Sequence, residues 1–213
     1  MTSNPDNPAM IKIPALILAG GRGIRMGARD KALCQLGDKT LLEHGLARLK
    51  AQCSPVALNA NGDVARFAQY NVRVIPDPLE GHLGPLSGIL AAMDWAAGLG
   101  HEAVITTAVD TPFFPRDLAN RLNAERTEGK IALAGTRDAT GQLWLHPTFG
   151  IWPTDARDQL RADLLAGTRK VTQWTHAQNA DTIMFEASAF DPFFNINTPE
   201  DLKLAEQIST QDT

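Results

Sequence analysis

Cysteine is scarce in this sequence, with two residues, Cys34 and Cys53, among 213. The two cysteines are too far apart to form a CxxC pair, and the five histidines are scattered without zinc-binding spacing. A disulfide framework is therefore excluded, and we expect two ordinary, largely buried thiols. A chain of this length needs no such cross-links, because it buries roughly 70% of its unfolded surface on folding.

Positive charge is not in excess either: 20 Lys and Arg stand against 24 Asp and Glu, a formal net charge of −4. Proteins that bind nucleic acid or anionic membranes are usually basic, so we expect neither partner. No run approaches the roughly 18 apolar residues that span a bilayer. Residues 1–10 also lack the basic and apolar regions of a signal peptide. These absences predict a cytoplasmic protein.

Short apolar runs alternate with segments of helical periodicity along the chain. Strands are predicted at residues 13–18, 56–58, 72–75, 103–109 and 131–134. Helices are predicted at residues 40–52, 85–99 and 116–128. This alternation is typical of a parallel sheet covered by helices on both faces. The less regular segments 130–152 and 180–196 are expected to contribute antiparallel or edge strands.

A glycine-rich, locally basic stretch, residues 18–31, follows the first predicted strand. Ligands of open α/β sheets bind outside the carboxyl ends of the strands. Three glycines permit positive φ and close backbone approach, and successive N–H groups there can form an anion nest: Gly20, Gly21 and Gly23. Four cations accompany them: Arg22, Arg25, Arg29 and Lys31. The stretch predicts a polyphosphate-binding loop, with a glycine-rich turn carrying solvated arginines as the alternative.

Two common nucleotide-binding loops are excluded. A dinucleotide fingerprint requires G-x-G-x-x-G, but counting from Gly21 the sixth position is Met26. The second predicted strand ends in Asn59, where that fingerprint has an acidic residue. A Walker A loop needs Gly-Lys-Ser/Thr, which does not follow here.

A carboxylate, Asp110, follows the fourth predicted strand in the run Val-Asp-Thr-Pro-Phe at 109–113. It should emerge at the same sheet edge as the glycine loop. Mg²⁺ prefers one or two carboxylates together with phosphate oxygens, so Asp110 is suited to hold Mg²⁺ beside a triphosphate. The alternative is that Asp110 merely caps the next helix.

Further polar side chains are expected at this edge. Asn59 and Asn61 end the second predicted strand, and Asp77 follows the third. They can contact a base or ribose, or they can be turn formers. Asn195 and Asn197 suit an amide-rich, pterin-like ligand, or serve only as turn and capping residues.

Two helix starts complete the set of motifs. Residues 84–88 open a long helix whose first amides can face a ligand, or they serve only as a favourable helix start. At the next start, Thr198 is the predicted N-cap, Pro199 the first helical residue and Asp201 the capping-box partner.

Taken in this order, the motifs resemble the molybdenum cofactor guanylyltransferases, the MobA family of the nucleotidyltransferase superfamily. The motifs that carry the resemblance are Leu18-Ala-Gly-Gly, Arg25-Met-Gly, Asp30-Lys31, Asn59-Ala-Asn61, Gly84-Pro-Leu-Ser-Gly88, Asp110-Thr-Pro-Phe113, His146-Pro147 and Asn195-Ile-Asn-Thr-Pro-Glu-Asp201. The resemblance runs from about residue 13 to about 207. It implies a three-layer αβα Rossmann-like nucleotidyltransferase fold of the α/β class, with a mostly parallel central sheet. One domain is expected over residues 1–213, with flexible tails at 1–10 and 209–213.

The resemblance also implies a reaction: GMP passes from GTP to the phosphate of molybdopterin or Mo-molybdopterin, and pyrophosphate leaves. GTP binding is implied for Leu18, Ala19, Gly20, Gly21, Lys31, Asn59, Asp77 and Asp110. Catalytic roles are implied for Asp110, Arg25 and Lys31. Molybdopterin contacts are implied for Arg25, Asn195 and Asn197. Asp110 is the implied ligand of Mg²⁺, with Mn²⁺ as an alternative ion, and His146 is given no catalytic role.

The partners implied are GTP, molybdopterin, and cofactor-insertion chaperones or acceptor molybdoenzymes. Other reactions stay open at this point. A cytidylyltransferase acting on the same pterin usually opens with Ala-Ala-Gly and lacks the Asn-Thr-Pro-Glu-Asp ending. A sugar-1-phosphate nucleotidyltransferase would differ in its acceptor. A non-catalytic nucleotide-binding or cofactor-delivery module is opposed by the presence of both Lys31 and Asp110.

Overall fold

The computed structural model describes residues 10–20, 30–81, 83–186 and 190–209. The strands are β1 (Ala15–Leu18), β2 (Gln35–Leu36), β3 (Lys39–Thr40), β4 (Val56–Asn59), β5 (Arg73–Ile75), β6 (Ala103–Ala108), β7 (Ala132–Arg137), β8 (Leu143–Pro153) and β9 (Asp181–Met184). The α-helices are α1 (Leu41–Lys50), α2 (Pro85–Gly98), α3 (Leu118–Glu125), α4 (Arg157–Leu165), α5 (Val171–Ala177) and α6 (Pro199–Ser209). Short 3₁₀ helices span Lys31–Leu33, Val64–Tyr70 and Thr154–Ala156.

In the described part of the chain, seven strands form one sheet in the order β5-β4-β1-β6-β8-β7-β9. Strand β8 runs antiparallel to both of its neighbours, β6 and β7, whereas the other pairings are parallel. The prediction of a mostly parallel sheet is therefore confirmed. The segments expected to be irregular provide β7, the antiparallel β8 and the edge strand β9. Strands β2 and β3 pair separately as a small hairpin.

Helices cover both faces of the sheet, as the alternation of strands and helices predicts. Along β1, Ala15 and Ile17 pack into an apolar cluster that includes residues of α1 and α3. Leu16 and Leu18 face the opposite cluster, which includes residues of α2, α4 and α5. A strand buried on both faces is what a three-layer parallel arrangement requires. The αβα architecture is therefore confirmed.

Helix α6 and the β2–β3 hairpin form a third, smaller apolar cluster beside this sandwich. The start of α6 has the predicted capping box: the Asp201 amide donates to Thr198 Oγ1 at 3.1 Å, and the Thr198 amide donates to Asp201 Oδ2 at 2.8 Å. This cap satisfies amides that the first turn leaves without helical partners. It thereby fixes the segment just before α6.

Among the α-helices, the largest differences from the prediction concern α3, α4 and α5. Helix α3 is shorter than the predicted 116–128, because Arg126 is extended and the Thr127 amide donates to Asp181 Oδ2 at 2.7 Å. Helices α4 and α5 were not predicted. The apolar signal of α4 is weak, since Leu160 and Leu164 are its only buried residues. Among the described residues, no helix is both long and apolar enough to cross a membrane.

Candidate active site

The carboxyl ends of four parallel strands meet at one edge of the sheet. Leu18 at the end of β1 is in register with Asn59 on one side and Ala108 on the other, and Asn59 is in register with Ile75. Because this register aligns the strand ends, the residues that follow each strand are brought together. Asp110 therefore lies near the residues that follow β1, although the two segments are distant in sequence.

A cavity of about 440 Å³ lies at this edge, which is a size typical of small-molecule sites. It is lined by Leu18, Ala19, Gly20, Lys31, Asn59, Asp77, Leu83, Gly84, Pro85, Gly88, Ala108, Val109, Asp110, Thr148 and Asn195. The start of α2 forms one wall. Gly84 has a φ of +76° immediately before Pro85, the first residue of that helix. A residue other than glycine would be strained in this conformation.

Helix α2 approaches the strand ends closely at Gly88. A Cβ atom at this position would lie 2.6 Å from Asn59 Oδ1 and 2.8 Å from Leu18 Cδ2. Any larger residue would push the helix or Asn59 out of place. The glycine therefore allows the helix start and the end of β4 to share one wall of the cavity.

Three residues, Asn59, Asn61 and Asp77, form what we call the amide–carboxylate cluster. Asn59 Nδ2 donates to Asp77 Oδ1 at 2.9 Å, and Asn61 Nδ2 donates to Asp77 Oδ2 at 3.0 Å. The Asp77 amide in turn donates to Asn61 Oδ1 at 2.9 Å. Both carboxylate oxygens of Asp77 thus accept a hydrogen bond, which fixes the orientation of the side chain. The cluster offers a fixed negative group with amides beside it.

Lys31, Asp110 and Asn197 form a second group, which we call the lysine cluster. Lys31 Nζ donates to Asp110 Oδ2 and to Asn197 Oδ1, each at 2.7 Å. The side chains of Lys31 and Asp110 are 18% and 20% exposed, so the ion pair faces the cavity without being sealed from water. A cation and a carboxylate at one end of a cavity suit a polyphosphate with its counter-ion.

The alternative that Asp110 caps the next helix is wrong. The residue preceding α3 is Asp117, and the Asp110 carboxylate pairs with Lys31. The Asp110 carbonyl accepts from the Ile196 amide at 2.8 Å, which brings the segment of Asn195 and Asn197 to the cavity. Asn197 likewise is not the cap of α6, because Thr198 has that position.

A family model described as a MobA-like NTP transferase domain matches residues 15–182. The chain belongs to this family. It is therefore a nucleotidyltransferase, and the cavity lies where this MobA-like fold brings its strand ends together. The matched range includes both residues of the Lys31–Asp110 pair.

Curated relatives match this MobA-like transferase over nearly its whole length. It is 43% identical over 205 residues to the molybdenum cofactor guanylyltransferase of Bradyrhizobium sp. (strain ORS 278), covering 94% of each chain. It is 44% identical over 204 residues to the protein of the same name from Rhizobium leguminosarum bv. trifolii, covering 92% of each chain. The resemblance to the molybdenum cofactor guanylyltransferases is therefore confirmed.

Solved structures share the fold. Molybdopterin-guanine dinucleotide biosynthesis protein A from Archaeoglobus fulgidus superposes with a TM-score of 0.70 at 24% identity, covering 93% of this chain and all of that one. A 2-C-methyl-D-erythritol 4-phosphate cytidylyltransferase from Thermus thermophilus gives a TM-score of 0.68 at 19% identity, covering 94% and 100%. At these identities the likeness establishes the nucleotidyltransferase fold alone.

Most of the residues predicted for the MobA-like site line one cavity. These are Leu18, Ala19, Gly20, Lys31, Asn59, Asp77, Asp110 and Asn195. Asn197 adjoins the cavity through its hydrogen bond to Lys31. Gly21 and Arg25, together with Arg22, Gly23 and Arg29, lie outside the described residues. The individual roles of all these residues stay predictions.

The donor set at Asp110 is compatible with a nucleotide-bound Mg²⁺. Within the described ranges there is no group of three or more His, Cys, Asp or Glu side chains that could hold a metal by themselves. Mg²⁺ does not need such a cage, since it usually takes one or two carboxylates and completes its shell with phosphate oxygens and water. Asp110, which lines the cavity, satisfies this requirement.

Sequence reasoning missed three residues of the cavity wall, which are Leu83, Ala108 and Thr148. Thr148 belongs to β8, whose place beside β6 depends on antiparallel pairing across more than 40 residues of chain, for example Thr106 with Gly150. No local motif marks such a residue. The neighbouring His146 stacks on Phe193 with ring centroids 4.0 Å apart, and its Nε2 lies 2.9 Å from Thr136 Oγ1. Burial lowers the pKa of His146, which is consistent with packing.

Proposed function

We propose that this enzyme transfers GMP from GTP to the terminal phosphate of molybdopterin or Mo-molybdopterin, with release of pyrophosphate. The observation that carries the proposal is the union of the lysine cluster and the amide–carboxylate cluster in one cavity. One cluster suits phosphate and the other suits a base or ribose. The names of the curated relatives, which match along almost the full chain, support the choice of guanylyl transfer.

The amide–carboxylate cluster is assigned to the nucleoside. The Asp77 carboxylate can accept from N–H groups of guanine or from ribose hydroxyls, and Asn59 beside it is 2% exposed and fixed by two hydrogen bonds. A group whose orientation is fixed loses little freedom on binding. The segment of Leu18, Ala19 and Gly20, which lines the cavity, is assigned to the phosphates of GTP. Gly21 is assigned to GTP by the family resemblance alone.

The lysine cluster is assigned to the transfer step. Lys31 would neutralise charge on the phosphates, and Asp110 would hold Mg²⁺, or Mn²⁺ as the alternative ion. When bound, this metal ion supplies charge neutralisation and orients the triphosphate. Phosphoryl-type transfer asks a protein mainly for positioning and electrostatic stabilisation.

The acceptor is already a phosphate and is largely ionised near neutral pH, so no protein general base is required. One of its oxygens attacks the α-phosphorus of GTP, a new P–O bond forms, and the bond to pyrophosphate breaks. Asn195, which is exposed at the cavity, and Asn197 are assigned to the acceptor together with Arg25. The product would pass to a cofactor-insertion chaperone or an acceptor molybdoenzyme in the cytoplasm.

The decisive experiment compares GTP with CTP at equal concentrations, using molybdopterin and Mg²⁺ and measuring pyrophosphate release. Faster release with GTP, together with formation of the guanine dinucleotide, is expected. Faster release with CTP would replace the proposal with cytidylyl transfer. Release that requires a sugar 1-phosphate in place of molybdopterin would replace the acceptor.

A further inference from the structure

Arg66 connects two parts of the site without lining the cavity. It lies in the 3₁₀ helix Val64–Tyr70, shortly after β4. Its Nε donates to Asp30 Oδ2 at 2.6 Å, its Nη2 donates to the Asn61 carbonyl at 3.0 Å, and its Nη1 donates to the Asp63 carbonyl. The guanidinium also lies over the Phe67 ring, 4.3 Å from its centroid. One side chain thus has three acceptors on three different residues.

On one side, Arg66 fixes the start of the 3₁₀ helix Lys31–Leu33, which we call the Lys31 turn. Asp30 is the N-cap of the 3₁₀ helix Lys31–Leu33, and its Oδ1 accepts from the Ala32 amide at 3.1 Å. Its other carboxylate oxygen accepts from Arg66. Asp30 is therefore held from both directions, and Lys31 is the next residue along the chain. The position of Asp30 therefore limits the positions that the Lys31 ammonium can occupy.

On the other side, Arg66 fixes Asn61. The Asn61 carbonyl accepts from Arg66, while its side chain makes both hydrogen bonds to Asp77. Asn61 is an exposed residue, so packing alone does not hold its backbone. The Arg66 contact links the backbone of Asn61 to Asp30, and thereby links the orientation of Asp77 to the Lys31 turn.

We propose that Arg66 is a positioning residue that holds the Lys31 turn and the Asn61–Asp77 pair in one fixed geometry. The proposal rests on the proposed function, because it assigns the two parts to the two ends of one nucleotide. Arginine suits this role, since its planar guanidinium offers donors in several fixed directions. Lysine has one nitrogen and could not reach all three acceptors from one position.

Arg121 provides a matched control in the same protein. Its Nε pairs with Glu125 Oε1 at 2.6 Å, its Nη2 donates to the Met184 carbonyl at 2.7 Å, and it lies 4.4 Å from the Phe185 centroid. The exposed fractions of the two arginine side chains, 28% for Arg66 and 29% for Arg121, are nearly the same. The partners of Arg121 lie outside the set of described residues that line the cavity.

The experiment compares Arg66→Met with Arg121→Met by two measurements. The first is kcat/KM for GTP, which we expect to fall about tenfold in Arg66→Met, because small displacements of binding groups are costly, and to stay unchanged in Arg121→Met. The second is hydrogen exchange of single amides by NMR in the absence of nucleotide. Exchange at Ala32, Leu33 and Asp77 should accelerate in Arg66→Met alone, because these amides donate to Asp30 and Asn61.

The exchange measurement does not depend on the reaction. Equal exchange at these amides in both variants would overturn the proposal, even if the enzyme transfers GMP. Faster exchange with unchanged kcat/KM would overturn the role in nucleotide binding. An inactive wild type would contradict the proposed function, and the exchange data would still decide whether Arg66 positions the two segments.

Two further variants separate positioning from general packing. Asp30→Asn keeps a capping oxygen for the Ala32 amide but removes the charge that pairs with Arg66. In the Asp30→Asn background, Arg66→Met should lower kcat/KM for GTP by a smaller factor than it does in the wild type, since the two side chains act through one contact. Arg66→Lys should recover part of the lost kcat/KM. Fully additive effects, with no recovery by lysine, would overturn the proposal.

Discussion

The two clusters of the cavity are built from sequence at very different distances. In the amide–carboxylate cluster, the hydrogen-bonded residues are 16 to 18 positions apart, because they follow the neighbouring strands β4 and β5. In the lysine cluster, Lys31 is 79 positions from Asp110 and 166 from Asn197. The first cluster is a local product of two adjacent parallel strands, whereas the second exists only when the beginning, middle and end of the chain have folded together.

The clusters also differ in charge. The lysine cluster pairs a cation with a carboxylate, whereas the amide–carboxylate cluster holds its carboxylate with neutral amides. A charged pair suits a step in which charge moves between phosphates, and fixed hydrogen-bonding groups suit recognition. We therefore expect substitutions in the lysine cluster to lower kcat and those in the amide–carboxylate cluster to raise KM for GTP.

The largest effect should come from Asp110→Asn. The substitution keeps the shape of the side chain but removes the charge that pairs with Lys31 and would hold Mg²⁺, so kcat should fall about 1000-fold. The free energy of unfolding should change far less than the activity, because Asn has the shape of Asp and Lys31 keeps Asn197 Oδ1 as an acceptor. Pyrophosphate release at saturating substrates measures the first quantity, and urea denaturation the second.

The control is Asp94→Asn. Asp94 Oδ2 pairs with Arg161 Nη2 at 2.6 Å, away from the described cavity residues, so turnover should stay near that of the wild type. If Asp110→Asn turns over at the rate of the control, Asp110 has no role in the transfer step. The proposed difference between the two clusters would then be wrong.

The next largest effect should come from Asp77→Asn. An amide at this position presents an NH₂ group to one of the two donors that now face the carboxylate, so the cluster cannot be fully satisfied. KM for GTP should rise about tenfold with a smaller change in kcat, because the loss concerns binding. The control is Asp181→Asn, because the Asp181 carboxylate accepts from the Thr127 amide and belongs to neither cluster. A fall in kcat with unchanged KM would reverse the assignment of the two clusters.

A smaller effect is expected for Asn197→Ala. Lys31 would lose one of two acceptors, and a hydrogen bond of about 1 kcal/mol corresponds to a fall in kcat of about fivefold. KM for GTP should not change, because the amide–carboxylate cluster stays intact. Asn197→Asp keeps an acceptor for Lys31 and should restore most of kcat. If Asn197→Asp is as impaired as Asn197→Ala, the side chain of Asn197 does not act through Lys31. It would then act as a hydrogen-bond donor, through Nδ2, to the molybdopterin substrate.

The smallest effect concerns β8, the strand that carries Thr148 in the cavity wall and belongs to neither cluster. Burial lowers the pKa of His146 in the folded protein from 6.5, partly opposed by Asp191. As the pH falls below about 6.5, the unfolded chain takes up the proton first, so the free energy of unfolding should decrease.

Urea denaturation at pH 7.5 and 5.5, applied to His146→Gln, tests this pH dependence. The variant should lose less stability between the two pH values than the wild type does. His176→Gln, which replaces an exposed histidine, should behave like the wild type. Equal pH dependence in all three proteins would show that protonation of His146 is not coupled to folding.

Much of the fold could be predicted from periodicity. The strand β1 has apolar residues on both faces, and Pro85 and Thr198 mark helix starts that the structure has at those positions. Helix α4 could not be predicted, because Leu160 and Leu164 are buried against other elements in an otherwise polar segment. Helix α3 ends early because Asp181, which lies in β9, accepts a hydrogen bond from the Thr127 amide.

The candidate site divides in the same way. Strand ends of a parallel sheet lie at one edge, so Asn59, Asp77 and Asp110 could be placed together by strand order alone. Thr148 could not, because only the antiparallel pairing of β6 with β8 brings it to the cavity. Nor could the role of Arg66 as a link, since an arginine outside any motif gives no sign of its acceptors.

By itself, the amino-acid sequence determined the alternation of strands and helices, the glycine-rich stretch at residues 18–31 and the residue types of the site. These features depend on local periodicity and chemistry. Only the tertiary structure decided that Lys31 would be held between Asp110 and Asn197. The physical reason is that hydrogen bonds act over less than 4 Å, and the chain must close loops of many residues before those atoms meet. Strand order can bring segments to one edge, but packing of the whole domain selects which side chains touch.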